Sequence, residues 1–269
     1  METVATDKFC EEIANQLLEA EVSLKPISPL TETYPTISVQ QAYQIQLLQI
    51  QQKVDQGARI IGKKIGLTSK AMQEMVGVNE PDYGHLLDTM SHVDGEIIDI
   101  DQFIEPKIEV EIAFILSKNL KGPGVSITNV IDATDYIVPA FEVIDSRIKD
   151  WKIKFEDTVA DNGSSAKFVL GGIPTKIDQV DLRHIGMVVD VNGAQIATGA
   201  GAAVLGNPLK AVAWLANKLG EYDISLKAGE VILSGAITAA VPIRSGDIFN
   251  AHFAHIGSVS VGFKGGDSQ

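Results

Sequence analysis

The strand-rich pattern that begins after Gly57 constrains the fold more than any other feature of this sequence. Short runs of apolar and β-branched residues follow one another, separated by turn pairs such as Asn192-Gly193 and Ser245-Gly246. One late helix interrupts them, with Asn207 as its N-cap and Gly220 at its end. Strands and helices therefore do not alternate regularly, which disfavours a doubly wound parallel sheet or a TIM barrel and predicts an α+β fold with a mixed β-sheet. The predicted strands are residues 59–67, 97–100, 108–116, 137–144, 168–170, 187–191, 231–234, 247–253 and 258–263.

The N-terminal part of the chain is predicted to be helical. Residues 7–20 place their apolar side chains on one face, and Ser38 with Gln41 forms a capping box that starts a second, glutamine-rich helix. We therefore divide the chain into a helical N-terminal region, residues 1–77, and a mixed-sheet domain, residues 78–269.

The charge balance excludes several classes of function. The 269 residues include 22 Lys and Arg against 35 Asp and Glu, which gives a formal charge of 22 − 35 = −13. Nucleic-acid binding needs a basic surface, so we expect no nucleic-acid partner. We also expect no membrane association and a cytoplasmic location, because no apolar run reaches the ~18–20 residues of a membrane span and the N-terminus lacks the order of a secretory signal.

Three glutamates form the most informative pattern. Successive side chains of a strand alternate between its faces, so Glu109 and Glu111 point to the same side of the strand over residues 108–116. This spacing also fits a half-buried strand with an acidic face in solvent. Glu142 favours a binding site over a solvent-exposed acidic face. It lies in the apolar strand over residues 137–144, where a lone carboxylate is costly to bury.

A divalent cation would compensate all three carboxylates. Oxygen ligands without His or Cys favour a hard cation such as Mg²⁺ or Mn²⁺, and they leave coordination positions for water and a chelating substrate. The local pattern does not show whether the two strands are neighbours.

Lys64 is a second candidate for a role in chemistry. It shares a strand face with Gly62 and Gly66, which have no side chains and so allow a ligand or another backbone to approach closely. A surface lysine on an edge strand would show the same pattern.

Two further candidates have weaker patterns. Asp82 lies in Pro81-Asp-Tyr-Gly84, which has the composition of an ordinary turn. Ser165 ends a predicted loop over residues 157–165, whose hydroxyl and amide groups suit an anionic ligand but are also common in loops.

Five segments together resemble the hydratase/decarboxylase family of the meta-cleavage pathway, a branch of the fumarylacetoacetase-like superfamily. That family contains 2-oxopent-4-enoate hydratases and 4-oxalocrotonate decarboxylases, and both use a divalent metal. The resemblance covers nearly the whole chain, and it implies a mixed β-roll catalytic domain preceded by a helical region. The segments are Gly62-Lys-Lys-Ile-Gly-Leu-Thr68, Pro81-Asp-Tyr-Gly84, Pro106-Lys-Ile-Glu-Val-Glu111, Val138-Pro-Ala-Phe-Glu-Val-Ile-Asp145 and Asp157-Thr-Val-Ala-Asp-Asn162.

The resemblance also implies roles for individual residues. Under it, the metal is Mg²⁺ or Mn²⁺, and the substrate is a small 2-oxo acid. The roles it implies are metal ligation by Glu109, Glu111 and Glu142 and catalysis by Lys64. As our own hypothesis for the reaction, Asp82 handles protons, and Ser165 and Thr238 donate hydrogen bonds to substrate oxygens.

The branch of the family is harder to choose. The segments Gly199–Gly206 and Gly235–Val241 resemble the decarboxylases, whereas the triplet Ser234-Gly-Ala236 resembles the hydratases. We therefore predict a lyase that decarboxylates 2-oxo-3-hexenedioate (4-oxalocrotonate) to 2-hydroxypenta-2,4-dienoate and CO₂ in aromatic hydrocarbon catabolism. The alternative is 2-oxopent-4-enoate hydratase.

Two other functions are disfavoured. A C–C hydrolase of the superfamily often uses a histidine near the metal, and the glutamate segments contain none. A non-catalytic partner subunit would not need the three glutamates and Lys64. Because members of the family form homo-oligomers, we expect a homo-oligomer with the helix over residues 38–56 as a candidate interface. A complex with the matching pathway hydratase is a further expectation.

Overall fold

The structure is a computed structural model that describes residues 8–265. Asp7, the predicted first residue of the N-terminal helix, lies outside them. The helices are α1 Lys8–Ser23, α2 Leu30–Thr33, α3 Val39–Asp55, α4 Lys70–Val76, α5 Ile127–Ala133, α6 Phe155–Ala160 and α7 Pro208–Gly220. The strands are β1 Ile60–Gly66, β2 Asp82–Leu87, β3 Ser91–Val93, β4 Ile97–Asp99, β5 Lys107–Leu116, β6 Thr134–Ile144, β7 Ser165–Leu170, β8 Gly186–Val191, β9 Ala194–Ala200, β10 Val231–Leu233, β11 Val241–Pro242, β12 Ile248–Phe253 and β13 Gly257–Lys264.

The strands form two mixed sheets. The larger has the order β2-β1-β10-β5-β6-β7-β3, with β11 also paired to β5. In it β1 runs parallel to β10, and β3 runs parallel to β7. The smaller sheet has the order β4-β13-β12-β8-β9, in which β4 and β13 are parallel. The predicted α+β fold with mixed sheets is confirmed.

The two faces of the larger sheet have different partners. Phe141 of β6 meets Phe249 of β12 edge-to-face, with ring centroids 6.5 Å apart, so this face packs against the smaller sheet. The opposite face carries Ala113 and Ala140, which cluster with Ile50 of α3. Because side chains alternate along a strand, the glutamates of β5 and β6 lie on this second face.

Buried glutamines attach α3 to the body of the protein. Its capping box forms as predicted, with the Gln41 N–H donating to the Ser38 hydroxyl. The side chain of Gln46 donates to the carbonyls of Tyr83 and Val159, and that of Gln49 donates to the carbonyl of Ala160. These two glutamines are therefore internal anchors. The use of this helix as a subunit interface stays a prediction.

Several elements were not predicted from the sequence. The segment that begins at Asp82 is strand β2, where the composition predicted a turn. The predicted loop over residues 157–165 is mostly helical, because α6 extends to Ala160 and a 3₁₀ turn follows at residues 162–164. Strands β3, β9 and β11 were also missed.

The predicted division at residue 77 stays a prediction. Strand β1 precedes it in the chain, yet β1 pairs with β2 and β10 of the later part. Among residues 8–265, no helix is both long and apolar enough to span a bilayer.

Candidate metal centre and active site

The three glutamates converge because β5 and β6 are antiparallel neighbours. Glu109 lies directly opposite Glu142 in the register, and Glu111 follows on the same face of β5. One carboxylate oxygen from each residue lies within 4.8 Å of the others. Among residues 8–265, this is the one group of acidic, His or Cys side chains that could hold a metal ion. The sequence alone did not place the two strands together.

The oxygens of this cluster lack the partners that buried carboxylates need. Glu111 is 1% exposed and Glu142 is fully buried. The backbone N–H of Gly235 donates to Oε2 of Glu111 at 2.7 Å, but Oε1 of Glu111 and both oxygens of Glu142 have no hydrogen bond. Unpaired buried carboxylates are strongly destabilising unless a cation compensates them. The donor set, three carboxylates without nitrogen or sulfur, fits Mg²⁺ or Mn²⁺.

Burial and mutual repulsion both act on the glutamates. Burial raises the pKa of Glu109 to about 7, against the opposing effect of Lys64. Burial, and then the charges of Glu142 and Glu109, raise the pKa of Glu111 well above its ordinary value. A bound divalent cation would reverse this effect, because it stabilises the ionised form of each carboxylate.

Lys64 is the cation of this cluster. Its Nζ lies 3.5 Å from Oε2 of Glu142, and the residue is 3% exposed. Burial lowers the pKa of the Lys64 ammonium, but the carboxylates of Glu142 and Asp82 outweigh burial and hold that pKa above its ordinary value. The surrounding carboxylates therefore favour the charged ammonium form of Lys64.

Asp82 is a buried acid beside Lys64. Strand β2 pairs with β1 so that Asp82 lies opposite Gly66, and the aspartate is 1% exposed. The Thr158 hydroxyl donates to Oδ2 at 3.3 Å, whereas Oδ1 has no hydrogen bond. Burial raises the pKa of Asp82, although Lys64 opposes this shift. A carboxyl group of this kind can exchange a proton in the pH range where enzymes work.

Gly66 provides the space that brings Asp82 and Lys64 together. A Cβ at this position would lie 2.0 Å from Oδ1 of Asp82 and 3.2 Å from Nζ of Lys64. Any larger residue would therefore displace the aspartate. The glycine spacing around Lys64 in the sequence signals close approach: at Gly66 the approaching group is a side chain of the site, and at Gly62 it is the backbone of Val231.

A cavity of about 230 Å³ opens onto these groups. Its polar lining includes Lys64, Asp82 and Glu109, and Leu67 and Met72 form part of its apolar wall. Its size fits a small organic acid.

Of the three glutamates, Glu109 lines the cavity, and Glu111 and Glu142 do not. The predicted residues Ser165 and Thr238 are also not in the cavity lining, although both hydroxyl oxygens are buried without a partner. The neighbouring residues Ser164 and Ala240 line it instead. The roles of Ser165 and Thr238 stay predictions.

The sequence analysis missed other residues of the cavity. Lys107 precedes Glu109 by two positions, so strand alternation places it on the same face, and this signal was available. Its Nζ lies 4.0 Å from the ring centroid of Trp151, which also lines the cavity. Thr158 and Gly163 are among the other missed residues, and they come from a segment predicted to be a loop.

Comparison with known proteins is consistent with this site. Residues 68–263 match the fumarylacetoacetate hydrolase C-terminal family. The chain belongs to this family. It is 46% identical over 254 residues to a 2-keto-4-pentenoate hydratase of Paraburkholderia xenovorans, with 94% of each chain covered. It is 44% identical over 257 residues to a 2-oxo-hept-4-ene-1,7-dioate hydratase of Escherichia coli, covering 93% of this chain and 96% of that protein.

Among solved structures, the fold matches 4-oxalocrotonate decarboxylase from Pseudomonas putida, complexed with magnesium and adipate. The TM-score is 0.93 and the identity 41%, with 95% of this chain and 97% of that chain covered. The predicted membership of the meta-cleavage hydratase/decarboxylase family is confirmed, as is the fumarylacetoacetase-like fold. Both activities are those of lyases, so the family assigns this chain to that class of enzyme.

Proposed function

We propose that this protein is a divalent-metal-dependent lyase that hydrates a 2-hydroxy-2,4-dienoate to a 4-hydroxy-2-oxo acid. The observation that carries this proposal is Asp82, a buried acid with a free oxygen that faces the same cavity as Lys64 and Glu109. Hydration of the dienol must move the proton of the 2-hydroxyl group and one proton of the attacking water to two carbon atoms of the chain, so it needs a positioned acid–base group. The two relatives compared at 46% and 44% identity are both named hydratases.

The glutamate cluster would hold the metal. Glu109, Glu111 and Glu142 supply the oxygen ligands, and we propose Mg²⁺ because the similar decarboxylase structure contains it. When bound, the ion would supply a Lewis acid that stabilises negative charge on the C2 oxygen of a chelating substrate. The chain's own residues then have to orient the substrate, stabilise charge and move protons.

Lys64 stabilises the developing negative charge. Its ammonium lies beside Glu142 at one edge of the glutamate cluster, and it lines the cavity. Negative charge accumulates on the substrate oxygen as an enolate forms, and a fixed ammonium group in a water-poor site favours that state over the ground state.

Asp82 moves the proton. In its neutral form it can deliver a proton to the carbon chain, and as a carboxylate it can take one from the attacking water. Thr158 donates to the other carboxylate oxygen and so fixes the orientation of the group. The apolar wall of Leu67 and Met72 would limit the access of bulk water.

Decarboxylation of 2-oxo-3-hexenedioate is the second candidate. The match to the decarboxylase with bound adipate, a six-carbon dicarboxylate, supports it, as does the decarboxylase-like segment Gly235–Val241. This reaction uses the same metal and the same lysine. It differs in that electrons come from a C–C bond, so water need not be activated.

Parallel assays of the two substrates test the proposal. Purified protein with Mg²⁺ should hydrate 2-hydroxypenta-2,4-dienoate, and product identification should show the 4-hydroxy-2-oxo acid. Release of CO₂ from 2-oxo-3-hexenedioate, with the dienoate left unchanged, would contradict the proposed hydration and support decarboxylation.

Asp82→Asn tests the role that carries the proposal. Because it removes the proton-exchanging group and keeps the volume, hydration should fall by about 100-fold. The affinity for Mg²⁺ should stay close to that of the wild type, measured by calorimetric titration. Full hydratase activity in this variant would contradict the proposed role. The cytoplasmic location, the homo-oligomer and the complex with a pathway hydratase stay predictions.

A further inference from the structure

A left-handed turn lies directly against Lys64. Asn162, Gly163 and Ser164 have φ angles of 54°, 61° and 54°, so three consecutive residues adopt a backbone conformation that L-amino acids disfavour. Such a run persists only where the surroundings hold it, and it commonly accompanies a functional site.

A buried ion pair holds the turn from one side. Nε of Arg147 donates to Oδ1 of Asp161 at 2.5 Å, and both side chains are at most 5% exposed. Arg147 also donates to the carbonyls of Asp145 and Asp161, while the Ser164 hydroxyl donates to Oδ2 of Asp161 at 3.0 Å. Ser164, the last residue of the turn, is therefore held by Asp161, the residue that precedes the turn.

Asn162 attaches the turn to the strand that carries Asp82. Its side-chain oxygen accepts from the backbone N–H of His85 at 2.7 Å, and its amide donates to the carbonyl of His85 at 3.0 Å. His85 lies three residues after Asp82 in β2. Its backbone N–H and carbonyl therefore bond to Asn162 as they would to a neighbouring strand.

Gly163 is in contact with the Lys64 side chain. A Cβ on Gly163 would lie 2.8 Å from Cε and 3.2 Å from Nζ of Lys64. Within this turn, the glycine thus allows the lysine stem to rest on the backbone.

We propose that the Asn162–Ser164 turn positions the catalytic pair, with Gly163 placing the Lys64 ammonium and Asn162 fixing the strand of Asp82. Both are positioning residues, and neither is required to touch the substrate. The expected effect on kcat rests on the proposed function, but the placement of Lys64 and of β2 by the turn does not.

Gly163→Ala and Gly193→Ala form a matched pair of tests. Both glycines have positive φ, but an added Cβ meets Lys64 at Gly163 and nothing within 4 Å at Gly193. Gly163→Ala should lower kcat by about 100-fold through displacement of the ammonium. KM and Mg²⁺ affinity should change by less than about threefold, and Gly193→Ala should keep wild-type kcat.

The side-chain resonance of Lys64 separates positioning from general damage. In protein labelled with carbon-13 lysine, the Cε signal of Lys64 is identified by its loss in Lys64→Met. It should shift in Gly163→Ala and stay in place in Gly193→Ala. An unshifted signal in a folded Gly163→Ala protein overturns the proposal, whatever happens to kcat.

Asn162→Gly keeps the test decisive if the alanine variant does not fold. Glycine tolerates the positive φ, so only the two bonds to His85 are lost. We expect a reduced kcat and a shifted Lys64 signal, and wild-type values for both overturn the role of Asn162. Wild-type protein that acts on neither substrate would refute the proposed function, while the resonance shifts would still test the turn.

Discussion

Lys63 and Lys64 are adjacent in the chain and both buried, yet their surroundings differ sharply. Nζ of Lys63 lies 3.0 Å from both oxygens of Glu230, so this lysine forms a closed pair with one carboxylate. Lys64 faces the opposite side of β1, where its charge is shared among the three glutamates and Asp82. The first arrangement is electrically balanced, whereas the second has four buried carboxylates for one buried cation.

The unbalanced carboxylates beside Lys64 lower the stability of the metal-free fold, and they are the groups that the proposed function uses. The buried pair of Lys63 and Glu230 needs no further charge to balance it. On the Lys64 side, a divalent cation and a proton on one acid would, together with the Lys64 ammonium, balance the four buried carboxylates. The strongly negative chain therefore has a site that is ready for a metal and then for an anionic substrate.

Removing one carboxylate from each side should give opposite results. Glu111→Gln removes a ligand, so Mg²⁺ binding should be lost and activity should fall on the order of 10³-fold, the equivalent of several kcal/mol of metal catalysis. The metal-free variant should be at least as stable as metal-free wild type, because a repelled charge is gone. Calorimetric titration and thermal unfolding measure the two effects.

Glu230→Gln is the matched control. It should leave Mg²⁺ affinity unchanged, but it should cost about 3–5 kcal/mol of unfolding free energy because Lys63 loses its partner. Lost Mg²⁺ binding in Glu230→Gln, or retained binding in Glu111→Gln, would contradict the contrast between the two sides.

Replacing each lysine by methionine should separate catalysis from stability. Lys64→Met should lower kcat by about 100-fold or more, because a fixed donor of charge stabilisation is removed. Lys63→Met should lower the free energy of unfolding, with kcat per folded molecule unchanged. Steady-state kinetics combined with denaturant unfolding would show this division, and equal kinetic losses in both variants would refute it.

The effect of Mg²⁺ on thermal stability should grow with pH. Burial raises the pKa of Glu109 to about 7, so the folded protein without metal binds more protons than the unfolded chain between the two pKa values. Its stability therefore decreases as pH rises through about 7. Mg²⁺ binds the deprotonated form, so the gain in Tm should be larger by about 3 °C or more at about pH 8 than at about pH 6. A gain that shrinks with rising pH would contradict this account.

The smallest expected effect is that of the predicted substrate-binding hydroxyls. Thr238→Val should raise KM by about tenfold or less, because one hydrogen bond contributes about 1 kcal/mol. Mg²⁺ affinity should not change. An unchanged KM would remove Thr238 from the site.

The sequence predicted the parts of the site that follow from local alternation. Glu109 and Glu111 share a face because a strand has a two-residue period, and the capping box at Ser38 is likewise local. The register that places Glu142 opposite Glu109 depends on pairing between distant segments. No local pattern carries that information, so only the resemblance to a family predicted it.

The missed elements have a similar cause. Pro81-Asp-Tyr-Gly84 has the composition of a turn and becomes a strand only because β1 offers a partner. The positioning turn depends on Arg147 and Asp161, which are 14 residues apart in the chain. The segment Gly235–Val241 indicated decarboxylation, whereas the buried environment of Asp82, which now favours hydration, could not be seen before the fold was known.

Calorimetric titration of metal-free wild-type protein with Mg²⁺ at about pH 8 tests the central claim most directly. We predict binding of one ion per chain, with release of protons, because burial holds the pKa values of Glu109 and Glu111 above their ordinary range and the ion binds the ionised carboxylates. The same titration of Glu111→Gln should show no binding. If the wild-type protein takes up no Mg²⁺ at millimolar concentration, or if Glu111→Gln binds it equally well, the three glutamates are not a metal centre.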